Sequence, residues 1–256
     1  MLFAFDIDGT LRTTDNHVVL DSTIKALNKL RENDHQVIIA TGRGLDSLTN
    51  TKISNLFKFD GYVCNNGQTL LDSNFNIIFQ EYMNSKIVNK AIEVGNKLNI
   101  PVALKTNPRI LTMEANENVI RSANFFNNPI PKVGKYTNQK VEALIAYGDL
   151  DYDYKEFKDI DGLDVMPGES SYADMTISGL SKATGINYFV KKYNLDGYVC
   201  FGDSLNDYEM FKHASFSICM GQGNEKLKAI SNYVSSNCND DGIYNACVNL
   251  KYIKED

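Results

Sequence analysis

No uninterrupted apolar stretch in this 256-residue chain exceeds four or five residues, as at Leu2–Phe5 and residues 37–40. A membrane span needs roughly 20. Acids at Asp6 and Asp8 break up the apolar start, so a secretory signal is not expected. Basic residues are not in excess: 26 Lys and Arg stand against 32 Asp and Glu, a formal net charge of −6, with no charge block or low-complexity tract. Binding of nucleic acid through its phosphates is therefore not expected, although a small anionic ligand needs only local positive groups. The five cysteines (Cys64, Cys200, Cys219, Cys238, Cys247) are odd in number, widely spaced and form no CxxC pair. That pattern suits reduced thiols and a cytoplasmic location rather than a disulfide framework. His17, His35 and His213 are scattered and make no site. What is present is ordinary for a globular chain: 43% hydrophobic and 23% charged residues, enough for one large domain or two small ones.

Several short apolar runs end in the same way. Leu2–Phe5 leads into Asp6-Ile7-Asp8-Gly9-Thr10, and residues 37–40 into Thr41-Gly42-Arg43. Tyr62-Val63-Cys64 leads into Asn65-Asn66-Gly67, and Tyr198-Val199-Cys200-Phe201 into Gly202-Asp203. Unalternated apolar runs of this length read as strands buried on both faces of a parallel sheet, which makes Cys64 and Cys200 small buried hydrophobes rather than nucleophiles. Between them, Ile24, Leu27 and Leu30 mark a helix with Asp21 as its expected N-cap, and a second helix opens near Ser204. Strands alternating with helices predict an α/β fold with a doubly wound, mostly parallel, Rossmann-like sheet. Ligands bind such sheets beyond the carboxyl ends of the strands, where all four polar clusters fall. Asp-Gly-Tyr-Val-Cys occurs at 60–64 and again at 196–200. Five residues are too few for a duplication and read as two strands of one sheet entered through the same turn.

The middle of the chain is different. Ile87, Val88, Ala91, Ile92 and Leu98 give an amphipathic helix, followed by strand-like residues 101–104 and 110–113, a helix over about 118–126, and strands near 141–147 and 163–166. All five prolines (Pro101, Pro108, Pro129, Pro131, Pro167) fall here. This order predicts a small α+β domain over 83–177, inserted after the third core strand and leaving a discontinuous core of 1–82 and 178–256.

At the end of a strand, Asp6 and Asp8 lie on one side, and Gly9 permits a tight turn. Two adjacent carboxylates repel unless a proton or cation sits between them. Asp-Gly is also an ordinary polar turn. The second cluster, Gly202-Asp203-Ser204-Leu205-Asn206-Asp207, brings Asp203 and Asp207 to the same edge. Helix capping accounts for one of those acids and not for the matching pair on the first strand. Oxygen ligands without His or Cys favour a hard cation, Mg²⁺ first. Thr41, Gly42 and Arg43 offer donors, and Lys182 opens a predicted helix at 182–192, where its charge opposes the dipole and suggests an anion beside it. Together these groups describe metal-dependent phosphoryl transfer.

Phe5-Asp6-Ile7-Asp8-Gly9-Thr10-Leu11, Ala40-Thr41-Gly42-Arg43, Ser181-Lys182 and Gly202-Asp203-Ser204-Leu205-Asn206-Asp207 resemble, in order, the four motifs of the haloacid dehalogenase superfamily. The place of the insertion resembles the Cof-like phosphatases with a type II cap. The resemblance implies Asp6 as nucleophile and Asp8 as acid and base, with Thr41 and Lys182 holding the phosphoryl group. It implies Mg²⁺ bound by Asp6, the backbone carbonyl of Asp8, and Asp203, with Asn206 and Asp207 positioning the site and Asp207 a possible further ligand. Ala183, Ile177 and Gln68 depart from the family pattern without touching the acids; Gln68 would alter substrate entry or face solvent. The function implied is hydrolysis of a small phosphorylated metabolite, with the cap closing over the site. Gly42, Arg43, Asn66 and Asn206 are candidate substrate contacts, and Tyr172 of the cap another. Arg43, Asn66 and Tyr172 are equally readable as surface or packing residues. A phosphomutase and a non-catalytic phosphometabolite sensor are the alternatives; Asp8 argues against the sensor, since binding alone needs no proton shuttle.

Overall fold

The computed structural model describes residues 1–126, 128–168 and 170–255. The chain divides into two compact units, Met1–Gln80 with Ser181–Asp256, and Glu81–Leu180. In chain order the first unit begins β1 (Leu2–Phe5), α1 (Asp21–Glu32), β2 (Gln36–Ala40), α2 (Leu45–Asn50), β3 (Gly61–Cys64), β4 (Thr69–Asp72) and β5 (Ile77–Gln80). The second unit follows with α3 (Ser85–Leu98), β6 (Val102–Leu104), β7 (Ile110–Leu111), α4 (Glu117–Phe125), β8 (Lys132–Val133), β9 (Leu144–Ala146), α5 (Lys155–Lys158), β10 (Leu163–Pro167) and β11 (Ala173–Ile177). The first unit resumes with α6 (Lys182–Lys192), β12 (Tyr198–Gly202), α7 (Tyr208–Lys212), β13 (Phe216–Cys219), α8 (Glu225–Lys228), β14 (Tyr233–Val234) and α9 (Gly242–Asn249).

The first unit is an α/β fold. Its sheet is ordered β14-β13-β12-β1-β2-β3-β4-β5, parallel from β14 through β3 and antiparallel beyond. Both copies of Asp-Gly-Tyr-Val-Cys lead into strands of this sheet, β3 and β12. Side chains alternate between two apolar layers. Phe3, Phe5, Val37, Ile39 and Phe201 pack with Ala26, Leu27 and Leu30 of α1 and Ile243 and Ala246 of α9. Leu2, Ala4, Ile38, Ala40 and Cys200 pack with Ile186 and Phe189 of α6 and with Met210 of α7. Each large side chain so buried contributes about 1.5–3 kcal/mol, which is why unalternated apolar strands end up in the middle of the sheet. Cys64 and Cys200 are buried as expected, and burial pushes the Cys200 thiol well up.

The order of strands places the chemistry. β1 is central, flanked by β12 and β2 with Phe5 opposite Phe201 and Ile39. The chain moves outward from β1 through β2 and β3 on one side, and from β12 through β13 on the other. This reversal leaves a crevice beyond the carboxyl end of β1.

The second unit carries a sheet ordered β10-β11-β9-β6-β7-β8. Val88 and Ala91 of α3 and Phe157 of α5 cover its apolar face, with Val102, Leu104, Leu144 and Met175. Asn84 caps α3 by accepting from the Lys86 amide. Among the described residues no helix is long and apolar enough to cross a membrane.

Three local expectations are corrected. Asp21 is the first residue of α1 rather than its N-cap, which is Leu20 with no side-chain bond; Asp21 acts through the helix dipole. The insertion does not directly follow the third core strand, because the hairpin of β4 and β5 intervenes. Its alternation is weak, since Ile77 and Phe79 face solvent. Gln68 does not face solvent; it is fully buried.

Candidate active site

The turn after β1 is shaped by what it must approach. Gly9 has φ +79°, a conformation that side chains disfavour. A Cβ there would overlap the Asp203 carboxylate. The adjacent Thr10 hydroxyl donates to Asp203 Oδ1 at 3.0 Å. Asp203 directly follows β12, so strand pairing with β1 brings the first and fourth polar clusters together across 197 residues of chain (203 less 6).

Lys182 supplies the central contact. Its Nζ donates to Asp6 Oδ1 and to Asp207 Oδ1, both at 2.6 Å, and lies 3.5 Å from Asn206 Oδ1. The lysine is 1% exposed, although it is the first residue of α6. The anion its position called for is this pair of carboxylates. Ser181 fixes the start of the helix through a capping box with Thr184. Burial opposes the ammonium charge, but Asp207 and Asp6 outweigh it and hold the pKa above its ordinary value. Asp6 moves the other way from an ordinary carboxylate. Burial raises it to about 7, opposed by Lys182 and reinforced by Asp207 and Asp8.

Asp207 has a second task. Its Oδ2 accepts from the backbone N–H groups of Asp203 and Ser204, at 3.0 and 3.1 Å, which closes the 3-10 turn at Leu205–Asp207. Both oxygens are therefore engaged, so a cation bound by Asp207 would share them with Lys182 and the turn.

Asp6, Asp203 and Asp207 form a buried group whose ligand atoms lie within 4.8 Å of one another. Three carboxylates against the one ammonium of Lys182 leave a formal charge of −2 (+1 less 3). Oxygen donors with that balance fit a divalent hard cation.

Asp8 is held apart from this group. Arg43 grips it in a two-pronged pair, Nε to Oδ2 at 2.6 Å and Nη2 to Oδ1 at 2.9 Å. Arg12 Nη1 adds a contact to Oδ1 at 3.3 Å. The remaining prong of Arg43, Nη1, donates to Ser47 Oγ at 2.8 Å. A guanidinium has five N–H groups, so few are left for a substrate. Arg43, a candidate substrate contact by sequence, is placed on Asp8 instead. Burial opposes its charge, but Asp8 and, more weakly, Asp6 hold its pKa above the ordinary value.

Thr41 and Gly42 lie at the end of β2. The Thr41 hydroxyl accepts from the Arg43 amide at 3.1 Å, and Thr41 O accepts from Asn66 N at 3.1 Å. Asn65 N donates to Arg43 O at 2.9 Å, so the loops after β2 and β3 are laced together. The Asn66 carboxamide packs on Gly42: a Cβ at Gly42 would lie 3.3 Å from Asn66 Oδ1 and 3.4 Å from Asn206 Nδ2. Asn66 is 1% exposed, and both polar atoms of its side chain lack a hydrogen-bond partner among the described residues. An unpaired buried polar group costs roughly 1–3 kcal/mol.

Thus the structure gathers Asp6, Lys182, Asp203, Asp207, Asn206, Thr41, Gly42 and Asn66 at one sheet edge, with Asp8 and Arg43 paired beside them. Sequence reasoning missed the partners that hold them. Thr10 sits inside the first motif but gave no sign of bonding Asp203. Ser47 and Arg12 carry no motif. Neither does Gln222, whose Nε2 donates to Gly9 O and whose Oε1 accepts from Cys238 N.

The parallel sheet, the switch point at β1 and the buried acidic group define an α/β protein with a group of carboxylates able to hold a cation at its sheet edge. Residues 3–247 match the family of haloacid dehalogenase-like hydrolases. The chain belongs to this family, and its enzyme class is that of the family's phosphoric monoester hydrolases. It is 23% identical over 249 residues to the 5-amino-6-(5-phospho-D-ribitylamino)uracil phosphatase YcsE of Bacillus subtilis, covering 96% of this chain and 93% of that protein. Among solved structures it is similar to the HAD superfamily phosphatase BT1666 from Bacteroides thetaiotaomicron, with a TM-score of 0.89 and 25% identity over 98% of this chain and 95% of that one. The HAD subclass IIB sugar phosphatase BT4131 superposes with a TM-score of 0.87 and 25% identity, over 98% and 99% of the two chains.

Proposed function

We propose that the protein is a Mg²⁺-dependent phosphatase that hydrolyses a small phosphomonoester, a sugar phosphate or phosphorylated cofactor, through an aspartyl-phosphate on Asp6. The observation that carries this reading is the buried Asp6 carboxylate at 2.6 Å from a buried Lys182, with Asp203 and Asp207 beside it and a surplus of two negative charges. Buried acids in that surplus are costly unless a cation offsets them, and a divalent cation held there would in turn attract an anionic substrate.

In this reading a carboxylate oxygen of Asp6 forms a bond to phosphorus as the bond to the leaving oxygen breaks. Asp8 gives a proton to that oxygen, then takes one from the water that attacks the aspartyl-phosphate and releases inorganic phosphate. Lys182, Thr41 and the Gly42 amide hold the phosphoryl oxygens, and Asn206 steadies Lys182. Asp6, Asp203 and the backbone carbonyl of Asp8 would hold Mg²⁺, with Asp207 beside them, and the ion supplies positive charge against the phosphoryl oxygens. The inserted residues, 83–177 in this reading, select the leaving group. The phosphatases of ribitylaminouracil phosphate and of sugars among the relatives support the substrate class.

A panel of sugar phosphates and phosphorylated cofactors, assayed with Mg²⁺ and with EDTA, is expected to yield inorganic phosphate only with the metal. An isomerised sugar phosphate without phosphate release would instead assign a mutase. No turnover of any member would assign a sensor.

The grip on Asp8 makes Arg43 a positioning residue in this mechanism. Arg43→Ala is expected to lower kcat for an alkyl phosphate by about 10–100-fold, since a misaimed general acid forfeits part of its contribution. The loss should be smaller for p-nitrophenyl phosphate, whose leaving group needs little proton donation. Equal increases in KM for both, at unchanged kcat, would return Arg43 to substrate binding.

A further inference from the structure

The Asn66 side chain stands out among the buried polar groups of the first unit. Asn66 has φ 52° and ψ 39°, and its backbone N–H is fixed to Thr41 O. Its loop is also fixed from behind, because a Cβ at Gly67 would overlap the carbonyl of Ser181, the cap of α6. The backbone thus has its own reasons for its course, and none of them requires an amide on residue 66. Glycine would take the same φ without strain and bury nothing polar. Yet the position carries a carboxamide that is 1% exposed and unpartnered at both Nδ2 and Oδ1 among the described residues.

Its surroundings indicate what it awaits. The amide meets Asn206 at Gly42, and Asn206 reaches Lys182, which reaches Asp6. Gly42 lets both amides approach the backbone after β2, since a Cβ there would lie only 3.3–3.4 Å from them. A ligand that pairs Nδ2 must accept a hydrogen bond from it, and an oxyanion beside a lysine does so. Oδ1 then needs a donor, which a water or a hydroxyl of the ligand supplies.

We infer that Asn66 binds the phosphoryl group itself, its Nδ2 donating to a phosphoryl oxygen over Gly42, and is kept at the expense of stability in the ligand-free protein. This rests on the phosphomonoester reading above and adds to it a donor outside the four motifs. Asn66 is then a catalytic residue by contact, and it acts on the phosphate rather than on the leaving group.

The test uses the full chain with inorganic phosphate as probe and Mg²⁺ present, by calorimetry, beside melting temperatures of the ligand-free forms. Asn66→Gly removes the amide without backbone strain; Asn66→Asp keeps size and tolerance of positive φ but turns the donor into an anion. Phosphate affinity is expected to fall about tenfold in Asn66→Gly and further in Asn66→Asp, about 1.4 kcal/mol per tenfold step. The melting temperature of Asn66→Gly should equal or exceed that of wild type, and the rise in melting temperature with Mg²⁺ alone should be unchanged. Wild-type phosphate affinity in Asn66→Gly overturns the inference and leaves the function standing. A weakened affinity that comes with a lowered melting temperature in both variants overturns it in favour of a structural role. If wild type itself binds no phosphate, both readings fall.

Discussion

Asp6→Asn is expected to lose phosphate release by about 10⁴-fold or more, the scale on which removal of a covalent nucleophile acts. The same change should leave the melting temperature in EDTA unchanged or raised. Burial lifts the Asp6 pKa in the folded chain from 3.8 to about 7, against the opposing charge of Lys182. Between those values the folded chain holds a proton that the unfolded chain has lost, so stability falls as pH rises from about 4 to about 7. The full penalty is present above pH 7. Asparagine removes it while its side-chain oxygen can still accept from Lys182. The advantage of Asp6→Asn over wild type should therefore be largest near pH 8 and vanish toward pH 4, measured by scanning calorimetry. A variant that melts below wild type at pH 8 would show that the ion pair with Lys182 outweighs the cost of burial. A variant that stays active would remove Asp6 as nucleophile.

Lys182→Met is expected to damage both stability and turnover. Methionine fits an apolar stem of similar length but leaves Asp6 and Asp207 without their ammonium, in a group that is 0–7% exposed. Removing one partner of a buried pair costs about 3–5 kcal/mol. For a protein of this size that is a fall in melting temperature of roughly 6–20 °C. Lys191→Met, on the exposed face of the same helix, should move it little. Mg²⁺ should recover part of the loss in Lys182→Met, since it restores positive charge among the carboxylates. A melting temperature within 2 °C of wild type in EDTA would mean that the acids discharge themselves by taking up protons, and that Lys182 serves only the reaction.

Much of the site was legible because its polar clusters follow strands, and strands in a parallel sheet all end at one edge. Asp6, Thr41 and Asp203 needed only that rule, since β1 lies between β12 and β2. Lys182 was legible as an oddity, a cation where the helix dipole disfavours one, and the structure resolves the oddity with two carboxylates. Arg43 shows where the reading stops. Its place after Thr41 and Gly42 suggested a phosphate donor, and nothing in the local sequence says that Asp8, 35 residues away, takes two of its prongs. The β4–β5 hairpin was missed because strand β5 lies at the edge, half exposed and weakly patterned. The capping expectation at Asp21 failed by one residue, a shift that dipole and cap preferences do not distinguish.

The absence of long apolar runs and of basic excess, and the sparse cysteines, narrowed the class but named no chemistry. The periodicity and the acids at strand ends determined an α/β sheet, an insertion and an acidic cluster at one sheet edge, because these follow from local pattern and strand direction. Only the tertiary structure decided that Asp207 serves Lys182 and the turn as well as the acidic group, that Arg43 serves Asp8, and that the Asn66 side chain is buried at Gly42 without a hydrogen-bond partner among the described residues. Those facts depend on which side chains meet across distant loops. Residue type limits such meetings, and packing alone selects among them.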